Sequence, residues 1–322
     1  MSIIVTGGAG FIGSCIVRSL NDRGITDIIV VDNIASTEKW KNLCNKTYRE
    51  YIQKDLFLQR LPEFAGEVTH IIHMGACSAT TERNFDYLYQ NNLNYTKSLW
   101  KFCADNRISF IYASSAATYG DGRQGFDDEK DIGVLRPLNG YGYSKQLFDL
   151  WAREQERCPK QHVGFKFFNV YGPNEYYKGS MASVIFHSFN KISATGGMQL
   201  FKSYLPEYAD GEQKRDFIYV KDICKVILFM MDHPEINGLY NLGTGTARTF
   251  LDLCTSTFHA MGRDPLIEYI DMPEGLKEKY QYFTQAEMKQ LRAAGYNEPF
   301  HTLEEGVTDY VQNYLMKGYE TW

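Results

Sequence analysis

The sequence predicts an α/β protein: a doubly wound parallel sheet with a smaller, mixed C-terminal lobe. Short β-branched apolar runs alternate with longer amphipathic segments through the first half of the chain. A glycine-rich turn directly follows the first of these runs. The length of 322 residues exceeds what a single hydrophobic core usually serves. Strands that alternate with helices form βαβ units, which build a parallel sheet covered by helices on both faces.

The first half of the chain contains the clearest elements. Its apolar, β-branched runs predict strands over residues 2–6, 25–31, 68–73, 110–113 and 163–168. The segments between them place apolar residues at helical spacing, which predicts helices over 11–20 and 85–103. This order of strands and helices is the one that a doubly wound sheet requires.

Beyond Pro173 the alternation becomes looser. We predict a helix over 182–191, a strand over 216–220, a helix that begins with Asp222 as its N-cap, a strand over 238–242 and a helix over 250–261. Thr302 and Glu305 form a capping-box pattern, which predicts a terminal helix. We therefore expect a first lobe over 1–173, rejoined by some later segments, and a second lobe mainly over 174–322.

The composition is that of a soluble globular protein and excludes several classes. Apolar residues make up 44% and charged residues 23% of the chain, which argues against disorder. The net charge of -5 argues against nucleic acid as the main partner, because phosphate binding needs a basic surface. The seven cysteines are never spaced as C-x-x-C and no His, Cys and carboxylate group has metal spacing, so we expect no metal. No secretion signal or membrane-span pattern occurs, so we expect a soluble, cytoplasmic protein.

The glycine-rich turn has the pattern of a phosphate-binding loop. Gly8, Gly10 and Gly13 satisfy G-x-G-x-x-G, and Gly7 with the last two satisfies a longer variant. Glycine is needed because the backbone must turn tightly and approach a pyrophosphate closely, while the following helix offers free N–H groups. Asp32 ends the second predicted strand 19 residues after Gly13, where a carboxylate accepts from ribose hydroxyls. Together these features predict a Rossmann-type dinucleotide-binding domain in the first lobe and a substrate-binding role for the second.

The choice between NAD and NADP stays open at this point. Asp32 by itself favours NAD, because its carboxylate would repel a 2′-phosphate. Lys39 and Lys54 follow closely and could neutralise such a phosphate. Both lysines could equally be solvated surface charges.

Tyr141 and Lys145 lie one helical turn apart, so their phenol and ammonium groups share a helix face. A free phenol, with a pKa of about 10, is a poor base at neutral pH. An ammonium about 5 Å away stabilises the phenolate by about 3 kcal/mol at an effective dielectric of about 20, so we expect the pKa of Tyr141 to fall by about two. Ser115 follows a predicted strand and could hold a substrate oxygen, its alternative role being that of a turn or N-cap serine. This set predicts acid/base chemistry on an alcohol.

Five motifs and their order resemble the extended short-chain dehydrogenase/reductase family, which includes the NAD-dependent epimerases and dehydratases. They lie at residues 7–13, 114–120, 141–145, 169–173 and 215–222. The resemblance covers essentially the whole chain. It implies an enzyme that acts on a nucleotide-sugar and keeps one nicotinamide cofactor, NADP or else NAD, tightly bound in each subunit.

Further stretches resemble one subfamily of these enzymes, whose substrate is an ADP-linked heptose. They lie at residues 75–82, 178–184, 280–286 and 292–296. The resemblance implies epimerisation at C6 of ADP-D-glycero-β-D-manno-heptose to its L-glycero epimer, through a 6-keto intermediate, for the inner core of lipopolysaccharide. It also implies a homo-oligomer, with rings of five in the family, and neither membrane nor nucleic acid as a partner.

The resemblance implies roles for individual residues. Tyr141 and Lys178 correspond to two acid/base catalysts, supported by Ser115 and Lys145. The cofactor is expected at Gly7, Gly10, Phe11, Ile12, Gly13, Asp32, Asn33, Lys39, Lys54, Met74, Gly75, Ala76, Cys77, Ser78, Asn91 and Lys145. The ADP-heptose is expected at Asn169, Val170, Lys178, Ser180, His187, Phe201, Lys202, Ser203, Tyr204, Arg215 and Tyr280.

Two of these substrate residues can also be interpreted without the resemblance. Arg215 presents a planar fork that matches diphosphate oxygens, whereas His187 could equally be a structural histidine.

Three features depart from the subfamily pattern: Met74 stands where an acid is expected, Lys202-Ser203-Tyr204 replaces a short Gly/Ser turn, and the loop over 205–213 is longer. These departures concern the packing of the cofactor and the substrate contacts.

Other functions remain as alternatives. A 4-epimerase of the same fold differs only in the subfamily stretches. A 4,6-dehydratase carries an Asp-Glu pair directly after the catalytic hydroxyl, where this chain has Ala116 and Ala117. A non-catalytic dinucleotide sensor would be expected to lack the Ser115, Tyr141 and Lys145 set.

Overall fold

A computed structural model describes residues 2–275, 277 and 280–322 of the chain. Its strands are β1 (Ser2–Thr6), β2 (Ile28–Asp32), β3 (Glu50–Gln53), β4 (Val68–His73), β5 (Ser109–Ser115), β6 (Gln161–Phe167), β7 (Asn169–Tyr171), β8 (Met198–Phe201), β9 (Lys214–Tyr219), β10 (Gly238–Leu242), β11 (Ala247–Thr249) and β12 (Ile267–Ile270). Its α-helices are α1 (Phe11–Asp22), α2 (Lys54–Arg60), α3 (Phe85–Leu88), α4 (Tyr95–Asn106), α5 (Gly140–Arg153), α6 (Val184–Thr195), α7 (Val220–Asp232), α8 (Phe250–Ala260), α9 (Lys289–Ala293) and α10 (Leu303–Tyr310). A π-helical turn, Tyr89–Asn94, joins α3 to α4.

The main sheet has seven parallel strands within the described residues, in the order β10-β6-β5-β4-β1-β2-β3. All residues of β1 and β2 are buried, as expected where helices cover both faces of a sheet. The prediction of a doubly wound parallel sheet is therefore confirmed. Ligands of such sheets bind beyond the carboxyl ends of the strands where the strand order reverses, here between β1 and β4.

The second lobe contains two smaller sheets in the described part of the chain, one of which includes β7 from the range expected for the first lobe. One has the order β11-β9-β7, with β9 parallel to β7 and antiparallel to β11, and the other pairs β8 with β12 in parallel. This lobe is mixed, as predicted. β10 comes from the second half of the chain yet forms an edge of the main sheet, so the chain crosses between the lobes more than once.

Helix ends follow the expected chemistry in most places. The capping box of α10 is confirmed: Thr302 Oγ1 accepts from the Glu305 N–H, and Glu305 Oε2 accepts from the Thr302 N–H. The predicted N-cap at Asp222 is wrong, because α7 begins at Val220 and Asp222 lies in its first turn. An acidic residue favours the first turn of a helix as it favours the cap, so the sequence signal is similar for both positions.

Other differences concern short or irregular segments. The strand predicted over 25–31 begins only at Ile28. The sequence does not predict β3, β8, β11 or β12, because three or four residues are too few for a clear alternating pattern. None of the helices in the described part of the chain combines the length and apolar character that crossing a lipid bilayer would require.

Candidate active site

A cavity of about 660 Å³ opens at the carboxyl ends of the main sheet, and residues of both lobes line it. Its lining among the described residues includes the cationic side chains of Lys39, Lys145, Lys178 and Arg215 and a single carboxylate, Asp32. A cavity of this size with a positive lining suits an anionic ligand of nucleotide dimensions.

The glycine-rich loop forms one wall of this cavity, between β1 and α1. Gly7 has φ +65°, and a Cβ there would lie 2.7 Å from the backbone nitrogen of Gly75. A Cβ on Gly13 would lie 2.1 Å from the carbonyl oxygen of Gly7. Both positions therefore require glycine, and the backbone stays open to a pyrophosphate at the start of α1. This cradle fits the dinucleotide that the sequence predicts.

Asp32 holds the glycine-rich loop in place. Its Oδ2 accepts hydrogen bonds from the N–H groups of Ala9 and Gly10, at 2.9 and 3.1 Å. Its Oδ1 accepts from the N–H of Asn33 at 2.6 Å. The carboxylate is nearly completely buried at the end of β2 and lines the cavity. It thus shapes the loop in addition to any contact it makes with a ribose.

The two lysines that follow Asp32 have different surroundings. Lys39 lines the cavity, and its Nζ lies 2.8 Å from Asp32 Oδ1. Lys54 pairs with the exposed Asp55 at 2.8 Å and stands over the ring of Tyr95, outside the described lining. Lys39 is therefore the lysine that neutralises Asp32.

Ser115, Tyr141 and Lys145 lie together at the cavity wall. Ser115 Oγ accepts from the N–H of Ala117 at 3.1 Å, so this serine is the cap of a short 3₁₀ turn. Its hydroxyl also acts to lower the pKa of the nearby Tyr141 phenol. Lys145 Nζ donates to the carbonyl oxygen of Ala113 at 2.8 Å. Burial lowers the pKa of Lys145 to about 8. The predicted grouping of the three side chains is present.

The expected fall in the pKa of Tyr141 is wrong for this arrangement. Burial raises the pKa of the phenol, and the nearby hydroxyl of Ser115 opposes this effect only in part. The ammonium of Lys145 donates to the carbonyl oxygen of Ala113 at 2.8 Å. Sequence spacing alone shows that two residues share a helix face, but it does not show which acceptor a lysine selects.

A buried carboxylate, Asp149, lies behind Lys145, one turn further along α5. Its Oδ2 accepts from Ser114 Oγ at 2.6 Å. Burial raises the pKa of Asp149 to about 6, while the nearby ammonium groups of Lys166 and Lys145 act in the opposite direction. Asp149 in turn favours the charged form of Lys145. The sequence analysis does not single out this residue, although it lies four positions after Lys145.

Asn92 is a second residue that sequence reasoning misses, since it favours the neighbouring Asn91. In the π-helical turn, Asn92 Nδ2 donates to the carbonyl of Cys77 and to Ser144 Oγ, both at 3.0 Å, and Oδ1 accepts from the Cys77 N–H at 2.8 Å. Ser144 Oγ donates to the carbonyl of Tyr141 at 2.7 Å. Asn92 thus joins the loop after β4 to the helix of Tyr141. A π-helical turn changes the helical phase, which the sequence does not reveal.

Lys178 reaches the cavity from the segment between β7 and α6, directly before the 3₁₀ turn Gly179–Met181. Its Nζ lies 5.3 Å from the centre of the Phe11 ring. Burial lowers the pKa of Lys178, and the nearby carboxylate of Glu175 acts in the opposite direction. The structure therefore places an ammonium group in the same cavity as Tyr141, as the resemblance implies.

Two buried asparagines fix the start of this segment against the glycine-rich loop. Asn42 Nδ2 donates to the carbonyl oxygens of Ala9 and Asn174, both at 3.1 Å. Asn174 Nδ2 donates to Ser14 Oγ at 2.9 Å. Asn174 has φ +75°, a conformation that asparagine tolerates better than most residues. The sequence pattern does not indicate either asparagine.

Arg215 lies on β9 with only 9% of its surface exposed. Its Nη1 donates to the carbonyl of Lys214 at 2.8 Å and its Nη2 to the carbonyl of Gln281. The rings of Phe250 and Tyr280 lie on it, each 5.5 Å from the guanidinium carbon. Burial lowers the pKa of Arg215, since a charged group loses water there. A buried, pre-oriented cation at the cavity is a suitable anchor for an anion.

The expected residues divide clearly between those that line the cavity and those that do not. The lining contains Gly7, Gly10, Phe11, Ile12, Gly13, Asp32, Lys39, Met74, Gly75, Ala76, Ser78, Ser115, Tyr141, Lys145, Asn169, Val170, Lys178 and Arg215. The described lining does not contain Asn33, Lys54, Cys77, Asn91, Ser180, His187, Phe201, Lys202, Ser203, Tyr204 or Tyr280. Most of the second group were expected to contact the substrate.

Residues 201–204 make contacts with residues outside the described lining of the cavity. Lys202 pairs with Asp271 at 3.4 Å, and the hydroxyl of Tyr204 donates to the same carboxylate at 2.8 Å. Phe201 contacts the ring of Tyr280, which stacks on Arg215, so this segment borders the site through Tyr280.

Comparisons with known proteins agree with this geometry. The model of the NAD dependent epimerase/dehydratase family matches residues 3–243. An ADP-L-glycero-D-manno-heptose-6-epimerase of Nitratidesulfovibrio vulgaris (strain DP4) is 55% identical over 315 residues, 97% of each chain. One of Fusobacterium nucleatum is 50% identical over 326 residues, 98% of each chain.

A solved structure also matches along nearly the full chain. The crystal structure of the Helicobacter pylori ADP-L-glycero-D-manno-heptose-6-epimerase superposes with a TM-score of 0.82 at 27% identity, over 97% of this chain and 95% of that one. The resemblance stated from the sequence motifs is confirmed. The chain belongs to the NAD dependent epimerase/dehydratase family.

Proposed function

We propose that this enzyme inverts C6 of the heptose in ADP-D-glycero-β-D-manno-heptose and so forms the L-glycero epimer, a nucleotide-sugar for the inner core of lipopolysaccharide. The observation that carries the proposal is that Tyr141 and Lys178, from different lobes, line one cavity. Relatives that are 50 and 55% identical over nearly the whole chain have names that state this activity.

The need for two acid/base groups follows from the chemistry at C6. The C6 hydrogen of the alcohol is far too weakly acidic for a side chain to remove it as a proton. A nicotinamide cofactor held in the glycine-rich cradle would supply the redox chemistry that this carbon needs, as an acceptor of a hydride from C6 and a donor of the hydride to the opposite face. The C6 oxygen points in one direction before the inversion and in another direction after it. We therefore propose that Tyr141 exchanges a proton with this oxygen in one orientation and Lys178 in the other. Ser115 and Lys145 orient the Tyr141 side.

Burial moves the two groups toward complementary roles. The pKa of Tyr141 is raised, so the phenol keeps its proton at neutral pH and is ready to donate it. The pKa of Lys178 is lowered, so a larger fraction of its amine is neutral near pH 7, and free to accept a proton, than in a solvated lysine. In one direction Lys178 takes the hydroxyl proton and Tyr141 supplies one to the ketone oxygen, and in the other direction the roles reverse.

We propose NADP as the cofactor, held in the glycine-rich cradle and by the loop over 74–78. The ion pair between Lys39 and Asp32 supports this choice, because it removes most of the repulsion that a lone carboxylate would exert on a 2′-phosphate. NAD would use the same cradle without needing Lys39. Lys54 has no part in this proposal, since its partner is Asp55.

We propose that Arg215 binds the diphosphate of the substrate, in a pocket completed by Asn169 and Val170. The guanidinium is buried and already oriented by two carbonyl groups, which reduces the entropy lost on binding. We further propose that the chain forms homo-oligomers, in keeping with the resemblance, and that the first lobe mainly holds the cofactor and the second the substrate.

Incubation of the purified enzyme with ADP-D-glycero-β-D-manno-heptose in deuterated water, followed by NMR, tests this function. We expect inversion at C6 with no loss of water and no deuterium at C6, and NADP in the material released by denaturation. Loss of water from the sugar would instead identify a dehydratase, despite Ala116 and Ala117 after the catalytic serine. Bound cofactor without turnover of any nucleotide-sugar would identify a sensor, and deuterium at C6 would exclude the hydride mechanism.

A further inference from the structure

The segment that carries Lys178 has little regular structure to hold it. It leaves β7 at Gly172 and enters α6 after its N-cap, Ser183, with one 3₁₀ turn between. Lys178 itself sits directly before that turn. A side chain that transfers a proton must be held to within a fraction of an ångström, so something must fix this segment.

Glu175 connects the two ends of the segment. Its Oε1 accepts from Ser183 Oγ at 2.6 Å and from the N–H of Gly172 at 3.4 Å, and its Oε2 accepts from the Ser183 N–H at 2.5 Å. Its own carbonyl oxygen accepts from the N–H of Lys178 at 3.0 Å. One carboxylate thus closes a loop that contains Lys178.

The surroundings of Glu175 show that it is built into the structure. It has no exposed surface, and burial raises its pKa while the Ser183 and Gly172 donors and the ammonium of Lys178 oppose this effect. The carboxylate also contributes to raising the pKa of the buried Tyr310 hydroxyl on α10, so the two groups lie near each other. A buried carboxylate costs several kcal/mol unless it is well satisfied, so its retention here calls for a role.

We infer that Glu175 is the positioning residue for Lys178, fixing the place of its amine in the cavity by closing the loop that carries it. Glu175 does not line the cavity among the described residues, so it acts through Lys178. A purely structural alternative is that Glu175 only supports the start of α6. The inference rests on the proposed function, since it assumes that Lys178 transfers a proton.

The variant Glu175→Gln keeps the shape of the side chain but removes its charge, and it also offers an amide N–H where the carboxylate accepts. Single-turnover reduction of the bound cofactor is followed with each of the two C6 epimers separately. We expect the epimer whose oxidation is slowed in Lys178→Met to be slowed by about 10- to 100-fold in Glu175→Gln, and the other epimer by less than about threefold. Ser183→Ala removes one of the hydrogen bonds to the Glu175 carboxylate, together with the N-cap bond that Ser183 Oγ accepts from the Phe186 N–H. It should give the same pattern with a smaller effect and serves if Glu175→Gln folds poorly.

A second measurement does not depend on turnover. Competitive acetylation with peptide mass spectrometry reports the pKa of the Lys178 amine in the holoenzyme. Removing the negative charge of Glu175 should lower this pKa further, so Lys178 should become reactive at lower pH in Glu175→Gln. Phe11, the other described group against the amine, is uncharged and should not contribute to the shift.

Asp222→Asn is the matched control, because Asp222 is an equally buried carboxylate that accepts from a backbone N–H, that of His301, away from the cavity. It should lower thermal stability without changing the ratio of the two epimers or the reactivity of Lys178. Equal slowing of both epimers in Glu175→Gln, with unchanged Lys178 reactivity, would overturn the inference. Failure of the unmodified enzyme to interconvert the epimers would instead overturn the proposed function.

Discussion

The cofactor side and the substrate side of the cavity are built in different ways. The cofactor side comes from loops that directly follow β1, β4 and β5 and from the first turn of α5. Backbone hydrogen bonds to the buried side chains of Asp32 and Asn92 hold the loops after β1 and β4. The substrate side combines Lys178 from an irregular segment with Arg215 from β9. The cofactor side therefore follows from the order of strands and helices in this fold, whereas the substrate side depends on tertiary contacts between distant segments.

Each side supplies one of the two proposed acid/base groups, with a buried carboxylate nearby. Tyr141 has Lys145 and then Asp149 behind it, and Lys178 has Glu175. Burial raises the pKa of the phenol and lowers the pKa of both lysines. The difference between the sides lies in how each base is held: on a long helix in the first case, and by a single loop-closing carboxylate in the second.

The largest effect is expected from removing either acid/base group. Tyr141→Phe and Lys178→Met should each lower kcat by about 10²- to 10⁴-fold, because a positioned proton donor or acceptor contributes that much. Steady-state kinetics on the ADP-heptose measures this loss, and circular dichroism checks that each variant remains folded. Single-turnover oxidation should then separate the variants, each being slow mainly with the epimer that the other oxidises normally.

The same measurements can contradict this division of roles between Tyr141 and Lys178. If both variants slowed the same epimer, one group would serve both orientations of the oxygen, and the two sides would not share the chemistry. Near-normal kcat in either variant would remove that residue from the mechanism.

The contrast between the sides also explains what could be predicted from the sequence. The glycine-rich loop, Asp32 and the pair Tyr141 and Lys145 are local patterns, in which each residue's place follows from its spacing on one strand, turn or helix. Asn92 depends on a π-helical turn, whose change of phase leaves no mark in the residue pattern. For this reason the sequence favours its neighbour Asn91.

Long-range contacts account for the rest. The substrate residues expected at 201–204 bond to Asp271 and Tyr282, which lie more than 60 residues further along the chain. The pKa of Tyr141 depends on burial and on the acceptor chosen by Lys145, neither of which spacing determines. Secondary-structure propensities and sequence motifs therefore predict the cofactor side in detail, but they predict only the general position of the substrate side.

On the substrate side, we expect Arg215→Met to affect the reaction less than the loss of Tyr141 or Lys178 does. Methionine keeps much of the side-chain volume of arginine. Loss of a buried, charge-assisted contact with the diphosphate should raise KM by about 10- to 100-fold, with less effect on kcat. Arg248→Met is the control, because that guanidinium pairs with Glu304 and Asp252 outside the described lining. A loss confined to kcat would place Arg215 near the reacting carbon and contradict its role at the diphosphate.

The smallest effect is expected on the cofactor side from Lys39→Ala. This change leaves the Asp32 carboxylate without its ammonium partner while the backbone donors of the glycine-rich loop keep it in place, so the cradle should survive. Binding of NADP to the cofactor-free protein, measured by calorimetry, should weaken by about fivefold to tenfold, because the ion pair is partly exposed and its effect is screened. NAD should bind as before.

Lys41→Ala is the matched control, since Lys39 and Lys41 both lie on the 3₁₀ helix Glu38–Leu43 and Lys41 pairs with the exposed Glu38. It should change neither affinity. Equal weakening of NADP and NAD in Lys39→Ala would mean that Lys39 only supports the loop through Asp32. The preference for NADP would then have to come from another part of the cofactor side, because Lys54 is already paired with Asp55 and points away from the described lining.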